Sequence, residues 1–166
     1  LEYGESVTDY LGDPIRVGND ETWIVAQPAR SAGLSISYEL DFGEQSPIGR
    51  QVYANDLTPD LFRREIAPCR TFIPEEAAQS ILAQGIGKRV SSKDLLIFGP
   101  SGPIGNSLRF PDECARHKVL DVIGDLALTG CEVIGHIIAH RSGHSLHAEL
   151  AKLLIEQAES TGQLPQ

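Results

Sequence analysis

Three side chains that can bind a metal ion or move a proton recur at helical spacing in the last third of the sequence. His117, Asp121 and Asp125 follow one another at intervals of four residues. That spacing places all three on one side of a helix, where an imidazole and a carboxylate can share one ion. Both groups are ordinary ligands of zinc, at about 2.0–2.2 Å. Taken alone, the pattern also fits a solvated polar helix face, and spacing does not decide between the two.

The helix that must position these residues is predicted to span Pro111 to Thr129. Acidic residues occupy its first turn and Gly130 follows its last residue, as is common at the two ends of a helix. Lys118 lies about 100° round such a helix from His117. It is therefore placed to bind an anionic part of any ligand held at the same site.

The rest of the chain reads mainly as strands followed by helices. Residues 34–42 alternate between apolar and polar side chains, which predicts a strand with one buried face. Further strands are predicted at Pro14–Gly18, Thr22–Gln27, Arg70–Ile73, Asp94–Phe98 and Cys131–His140, and further helices from Thr58, from Pro74 and over Ser145–Ala158. This order predicts an α+β fold: a two-layer sandwich of a small mixed sheet with helices packed on one face.

Composition limits the classes of partner. The chain has 166 residues, of which 41% are hydrophobic and 22% charged, which suits one globular domain. A formal net charge of −9 argues against nucleic acid as the main partner. No apolar run approaches the roughly 18 residues of a membrane-spanning helix. Cys69, Cys114 and Cys131 show no paired spacing, so we predict small core residues in a reducing, cytoplasmic setting.

Two other features invite a functional interpretation. The loop Gly99–Gly105 looks like a phosphate-binding loop, but it lacks the Lys-Ser/Thr ending and contains two prolines, so we predict a hairpin-like turn. His136, His140, His144 and His147 cluster in sequence, and an independent metal site built from them is one alternative. For His136, His140 and His147 we favour ordinary surface or half-buried histidines.

Three strings of residues carry a family resemblance. The first runs from Arg109 to Leu126 and reads RFPDECARHKVLDVIGDL. The second is Ser142-Gly143-His144-Ser145-Leu146, and the third is Arg70-Thr71-Phe72. These strings resemble the RFxDExxRHKxLDxIGDL, SGHxLN and RTF segments of the UDP-3-O-acyl-N-acetylglucosamine deacetylase family, with His147 where that family usually has Asn. The order of elements from about Val7 onward looks like the second domain of that family.

The resemblance implies a zinc-dependent enzyme that removes acetate from UDP-3-O-acyl-N-acetylglucosamine, a UDP-linked acylated amino sugar, in lipid A synthesis. His117 and Asp121 would be two of three protein ligands to a catalytic Zn²⁺, which activates a water to attack the amide carbonyl. His144 would stabilise the oxyanion and protonate the leaving amine. Asp125 would orient His144 and stabilise its protonated form.

The same resemblance assigns three residues to the substrate. Lys118 would hold the phosphate or ring oxygens of the nucleotide sugar. Thr71 would hydrogen-bond the tetrahedral intermediate. Phe72 would pack near the sugar or line the passage of the acyl chain.

The remaining parts of such a site lie, in this family, in an N-terminal domain that supplies the third zinc ligand and the general base. No Glu-His pair of the kind found there occurs in this sequence. We therefore expect residues 1–158 to form the second domain, residues 159–166 to be a frayed tail, and the N-terminal domain to be absent. With two of three ligands, the isolated chain should bind zinc weakly and be inactive.

One segment departs from the family pattern and leaves alternatives open. Lys88-Arg89-Val90 stands where the family has a glycine-rich segment bordering a hydrophobic passage. A different acyl length, or a different acylated amino sugar, is therefore one alternative. Another is a non-catalytic module that binds a nucleotide sugar or a partner domain.

Overall fold

The computed structural model describes residues 14–28, 33–85 and 94–160. Its strands are β1 Ile15–Gly18, β2 Trp23–Gln27, β3 Leu34–Asp41, β4 Arg50–Asp56, β5 Thr71–Pro74, β6 Leu95–Gly99, β7 Gly102–Pro103 and β8 Gly135–His140. Its α-helices are α1 Pro59–Leu61, α2 Glu75–Ala83, α3 Glu113–Leu126 and α4 His144–Ser160. A π-helical turn, Phe62–Ile66, continues α1, and a 3₁₀ turn, Ala127–Thr129, continues α3.

The larger sheet has five strands in the order β1-β2-β8-β3-β4. The last strand in sequence, β8, lies at its centre, antiparallel to β2 and parallel to β3. Ile137 of β8 pairs with Ala26 on one side and with Ile36 on the other. The sheet is therefore mixed, as predicted, and its central strand leads directly into the loop before α4.

Helices cover one face of this sheet. The alternation predicted for β3 is present, because Ile36, Tyr38 and Leu40 are buried while the residues between them are partly exposed. Helix α3 packs on β3 and β4, and α4 packs on β1 and β2. Burying a large aliphatic side chain contributes about 1.5–3 kcal/mol, so this layer is the main source of stability. The predicted α+β sandwich is confirmed.

A second, three-stranded sheet was not predicted. It has the order β5-β6-β7, with β5 parallel to β6 and β6 antiparallel to β7. Phe98 pairs with Pro103, so the glycine-rich loop between β6 and β7 is a hairpin, as its composition indicated. The segments of β5 and β6 were predicted as strands, but their pairing with each other depends on α2, which packs on both. This sheet sets the position of β5 beside the start of α3.

Several ends of elements differ from the expectations. Strand β4 was missed because it lies at the sheet edge and only Tyr53 is buried. Helix α4 begins at His144 and continues through Ser160, so the first two residues of the predicted frayed tail are helical. Residues 161–166 and Lys88-Arg89-Val90 lie outside the described residues. No helix within the described ranges is both long and apolar enough to cross a bilayer.

A buried ion pair joins β5 to the beginning of α3. Glu113 is fully buried, and its Oε1 accepts hydrogen bonds from Arg70 Nε at 2.8 Å and from the Arg70 backbone N–H at 3.1 Å. Its Oε2 accepts from Arg70 Nη2 at 2.9 Å and from the backbone N–H of Arg109. Burial raises the pKa of Glu113, but these hydrogen bonds outweigh it and hold the pKa below its usual range. The carboxylate is therefore ionised and fixes Arg70, the residue before Thr71.

The cysteines differ in accessibility, which allows a first test of the core. Cys69 and Cys114 are buried, and burial raises the pKa of each thiol to about 12, whereas Cys131 is partly exposed. We expect iodoacetamide at about pH 8 to modify only Cys131 in the native protein, because the thiolate is the nucleophile. Mass spectrometry would show one adduct, and three adducts after unfolding in urea. The variant Cys131→Ser should stay unmodified, and rapid labelling of Cys69 or Cys114 would contradict the packing described.

Candidate active site

Helix α3 brings the predicted metal-binding residues together. His117 Nε2 lies 3.4 Å from Asp121 Oδ1, one helical turn apart, and both side chains are largely buried. Asp125 follows one turn further on the same side of the helix. The face they form is directed towards β5 and towards the beginning of α4. The three residues therefore take part in two neighbouring groups of contacts, one around His117 and one around His144.

The His117 ring is held in one tautomer. Its Nδ1 lies 3.3 Å from the carbonyl oxygen of Cys69, so Nδ1–H is the donor and Nε2 carries the lone pair. The hydroxyl of Thr71 donates to that Nε2 at 3.0 Å. Burial lowers the pKa of His117, although the charge of Asp121 acts in the opposite direction. A neutral imidazole whose Nε2 carries the lone pair, next to a carboxylate, offers two groups of the kinds that bind zinc.

The carboxylate of Asp121 connects the two groups of contacts. Its Oδ1 faces His117, while its Oδ2 accepts a hydrogen bond from Lys118 Nζ at 2.6 Å. The same Oδ2 lies 3.9 Å from His144 Nε2. A ligand held at His117 and Asp121 would therefore be within reach of both a lysine and a second histidine.

His144 pairs with the last of the three α3 residues. Its Nδ1 lies 2.7 Å from Asp125 Oδ2, and its side chain is 68% exposed. His144 is the first residue of α4, whereas the sequence had placed it just before the helix. A cation is disfavoured at a helix N-terminus, and the nearby Asp125 carboxylate offsets that effect. The pair thus provides a solvent-accessible imidazole oriented by a carboxylate.

A second histidine uses the same carboxylate. His147 is fully buried, its Nδ1 lies 2.7 Å from Asp125 Oδ2, and its Nε2 lies 2.8 Å from Ser142 Oγ. Atoms of Asp125, His144 and His147 that can bind a metal lie within 4.8 Å of one another. The prediction of an ordinary surface or half-buried histidine is therefore wrong for His147.

The other two histidines of the sequence cluster lie elsewhere. His136 Nδ1 lies 3.2 Å from Gln27 Nε2, and its Nε2 lies 2.9 Å from Ser37 Oγ. His140 stacks on Trp23 with ring centroids 5.9 Å apart. Both belong to the face of the sheet opposite the helices, as their shared parity on β8 indicated. They therefore do not form a common site with His144 and His147.

An open cleft of about 460 Å³ lies beside these contacts. Its lining residues are Thr22, Tyr38, Leu40, Asp41, Phe42, Phe72, Lys118, Arg141 and Ser142. Phe72 contacts the rings of Phe42 and His117 edge to face, with centroids 5.9 and 6.1 Å apart. Lys118 and Arg141 contribute two cationic side chains to one cleft of an acidic protein. The lining combines apolar rings with groups that bind anions.

Two residues at this cleft were missed by the sequence analysis. Arg141 has a φ of 49°, and its backbone N–H donates to the Glu39 carbonyl at 2.9 Å. Tyr38 donates its hydroxyl to the carbonyl oxygen of Ser142, and burial raises the pKa of Tyr38 to about 12. Signals for both were present. Arg141 directly precedes the string that begins at Ser142, and a tyrosine at a buried strand position needs a partner for its hydroxyl.

The fold and the site together define a class of protein: an α+β sandwich domain whose histidine–carboxylate pairs, beside a cleft, have the chemistry to hold a metal ion and move a proton. The family model described as UDP-3-O-acyl N-acetylglycosamine deacetylase matches residues 5–156. The chain belongs to the UDP-3-O-acyl-N-acetylglucosamine deacetylase family.

Individual relatives agree with the family model. The UDP-3-O-acyl-N-acetylglucosamine deacetylase of Chlamydia felis is 36% identical over 150 residues, which is 90% of this chain and 53% of the relative. The enzyme of that name from Thermosynechococcus vestitus is 37% identical over 147 residues, 89% of this chain and 50% of its own length. The enzyme of that name from Chlamydia trachomatis is 36% identical over 155 residues, which is 93% of this chain and 54% of the relative. The chain thus spans about half the length of the curated relatives it matches.

Proposed function

We propose that this chain supplies the second half of the active site of a zinc-dependent deacetylase. The enzyme would remove acetate from UDP-3-O-acyl-N-acetylglucosamine in the cytoplasm, as a step of lipid A synthesis. The observation that carries the proposal is the closeness of two pairs, His117 with Asp121 and His144 with Asp125, whose nearest atoms, Asp121 Oδ2 and His144 Nε2, are 3.9 Å apart. One pair has the chemistry to hold the metal, and the other has the chemistry to move a proton.

The metal half of the proposal rests on the donor set. His117 would hold Zn²⁺ through Nε2, since its Nδ1–H is engaged with the Cys69 carbonyl, and Asp121 would hold it through the oxygen that faces His117. When bound, zinc supplies Lewis-acid polarisation of the amide carbonyl and lowers the pKa of an attacking water. The Thr71 hydroxyl lies 3.0 Å from His117 Nε2, beside the proposed metal position, and would donate to the oxyanion.

The proton half rests on the exposed imidazole. After water adds to the carbonyl carbon, the C–N bond breaks and the amine must leave with a proton, because an amide anion is a very poor leaving group. His144 Nε2 lies 3.9 Å from Asp121 Oδ2, and its Nδ1 is held by Asp125 at 2.7 Å. His144 would donate the proton from Nε2 and stabilise the oxyanion, while Asp125 fixes the ring and its charge.

The cleft supports a nucleotide-sugar substrate. Lys118, which also hydrogen-bonds Asp121, and Arg141 line it with one acidic residue, Asp41, and these two cations would bind a diphosphate. Phe72 and Phe42 form an apolar wall that would contact the sugar or the first carbons of an acyl chain. These side chains would orient the substrate so that its acetamide lies next to His117 and His144.

Completion of the site needs groups from outside this chain. We propose that an N-terminal domain supplies the third zinc ligand and the general base, in line with the half-length match to the relatives. Zinc sites in hydrolases commonly use three protein ligands plus a water, so two ligands should bind weakly.

This proposal is tested by zinc binding and turnover. The isolated chain, dialysed free of metal and given one equivalent of zinc, should retain well under one ion per chain. The native protein that contains this chain should retain one ion and release acetate from UDP-3-O-acyl-N-acetylglucosamine. Tight one-to-one binding by the isolated chain would contradict the half-site. Zinc retention without acetate release would instead favour a nucleotide-sugar-binding module or another acylated substrate.

A further inference from the structure

One carboxylate oxygen accepts two histidine hydrogen bonds. Asp125 Oδ2 lies 2.7 Å from His144 Nδ1 and 2.7 Å from His147 Nδ1. The two rings meet edge to face with centroids 6.1 Å apart. One ring is mostly exposed and the other is completely buried. The buried ring therefore contacts the orienting carboxylate from the side away from solvent.

The hydrogen-bond partners determine the tautomer of His147. An ionised carboxylate is only an acceptor, so the Nδ1 facing Asp125 must bear a hydrogen. On the other side of the ring, the Ser142 hydroxyl lies 2.8 Å from Nε2 and can donate to it. Burial lowers the pKa of His147, although Asp125 acts in the opposite direction, which favours a neutral ring with one N–H. Both ring nitrogens thus have a partner of the required kind.

The ring is also held by the fold. Ser142 is buried, and its carbonyl oxygen accepts the hydroxyl of Tyr38 from the middle of β3. The backbone N–H of His147 donates to the Gly143 carbonyl at 3.1 Å, in the first turn of α4. A chain of contacts therefore runs from the sheet through Ser142 and His147 to Asp125, and reaches His144 only at its end.

We propose that His147 is a positioning residue: its Nδ1–H donor holds the Asp125 carboxylate in the orientation that aligns His144. His147 is fully buried, so it acts through Asp125 and not by touching a substrate. The inference rests on the proposed function only for its effect on turnover. The alignment itself is a property of the chain and can be measured on the isolated protein.

Three substitutions separate the donor from the volume of the ring. In His147→Asn the amide nitrogen occupies nearly the place of Nδ1, so it can still donate to Asp125. In His147→Gln the amide nitrogen lies nearer the place of Nε2 and faces Ser142 instead. His147→Phe keeps the ring and removes both polar atoms. Asn should therefore preserve the alignment, whereas Gln and Phe should lose it.

The direct test is the ¹⁵N spectrum of the imidazoles at about pH 7.5, where two-bond couplings distinguish the tautomers. In the unmodified chain His147 should be the Nδ1–H tautomer, and His144 should also carry its hydrogen on Nδ1. His144 should keep that pattern in the Asn variant and change to a mixture of tautomers in the Gln and Phe variants. A His147 Nε2–H tautomer, or an unchanged His144 in both Gln and Phe variants, would overturn the proposal.

Turnover by the native protein gives an independent measurement. We expect kcat to fall about 10- to 100-fold in the Gln and Phe variants with KM nearly unchanged, as for other residues that orient a catalytic side chain. The Asn variant should recover most of the lost kcat, and thermal unfolding would verify that each variant is folded. If Phe fails to fold, the Asn–Gln pair still decides. If the unmodified protein shows no deacetylase activity, the proposed function falls while the ¹⁵N result still decides this inference.

Discussion

Replacing His117 or Asp121 with alanine is expected to remove zinc from the native protein and to lower its turnover about 10³-fold or more. Each substitution leaves one of the two ligands proposed for this chain, and a metal that polarises a carbonyl is worth several kcal/mol of barrier. The measurement is zinc per chain after dialysis, followed by acetate release from UDP-3-O-acyl-N-acetylglucosamine. Both quantities should fall together, because both depend on the 3.4 Å pair.

Matched controls are available on the same chain. His140 is a histidine on the opposite face of the sheet, stacked on Trp23, so His140→Ala should keep both zinc and turnover. Asp60 is an exposed carboxylate near the start of α1 and gives the corresponding control for Asp121. Full activity of the Asp121→Ala protein would refute the metal assignment, since Asp121 Oδ1 is the carboxylate oxygen that lies 3.4 Å from His117 Nε2.

Glu113→Gln is expected to destabilise the fold by about 3–5 kcal/mol, which is the usual result of removing one partner of a buried ion pair. The substitution keeps the volume of the side chain but leaves the charge of Arg70, whose side chain is only 7% exposed, without compensation. Urea unfolding of both proteins at neutral pH measures this difference in the free energy of unfolding. The Arg70 backbone precedes Thr71, so the same variant should also weaken the site if the domain remains folded.

The exposed pair between Asp60 and Arg64 provides the comparison. The charged atoms of the two side chains are 2.6 Å apart, but the side chains are 61% and 69% exposed, so Asp60→Asn should leave the unfolding midpoint nearly unchanged.

The dependence of stability on pH gives a second test of the Glu113 ion pair. The pKa of Glu113 is lowered in the folded protein from an ordinary value of 4.5, so its stabilisation is present above that value and is lost as the pH falls through the folded pKa. The difference in free energy of unfolding between the Glu113→Gln variant and the unmodified protein should therefore become smaller as the pH falls. A difference that stays constant with pH would contradict an ionised Glu113.

Periodicity in the sequence predicted the elements whose burial alternates strongly. From Ser35 to Asp41, β3 alternates between partly exposed and buried positions, and α3 carries its potential ligands at intervals of one turn. Strand β4 could not be predicted in this way, because it lies at an edge with one buried residue and a mostly polar composition. The second sheet could not be predicted either, since it depends on which strands pair, and local patterns do not encode pairing between distant segments.

In the site, too, local spacing predicted some contacts and could not predict others. The contact between His117 and Asp121 follows from helical geometry alone, so spacing was sufficient to anticipate it. The roles assigned to Thr71, Phe72 and Lys118 came from resemblance and remain predictions, although Phe72 and Lys118 line one cleft and Thr71 lies 3.0 Å from His117 Nε2. The sharing of Asp125 by His144 and His147 depends on where α4 begins relative to α3, a tertiary relation that spacing does not contain.

Helix α3 also limits how this domain can change by insertion and deletion. It carries His117, Asp121 and Asp125 on a rod that rises about 1.5 Å and turns about 100° per residue. One residue added or lost between Asp121 and Asp125 would turn Asp125 away from His144 while leaving the pair with His117 intact. Loops around the cleft can vary in length without this effect. Related proteins that keep both pairs should therefore show length changes in their loops and a constant number of residues across α3.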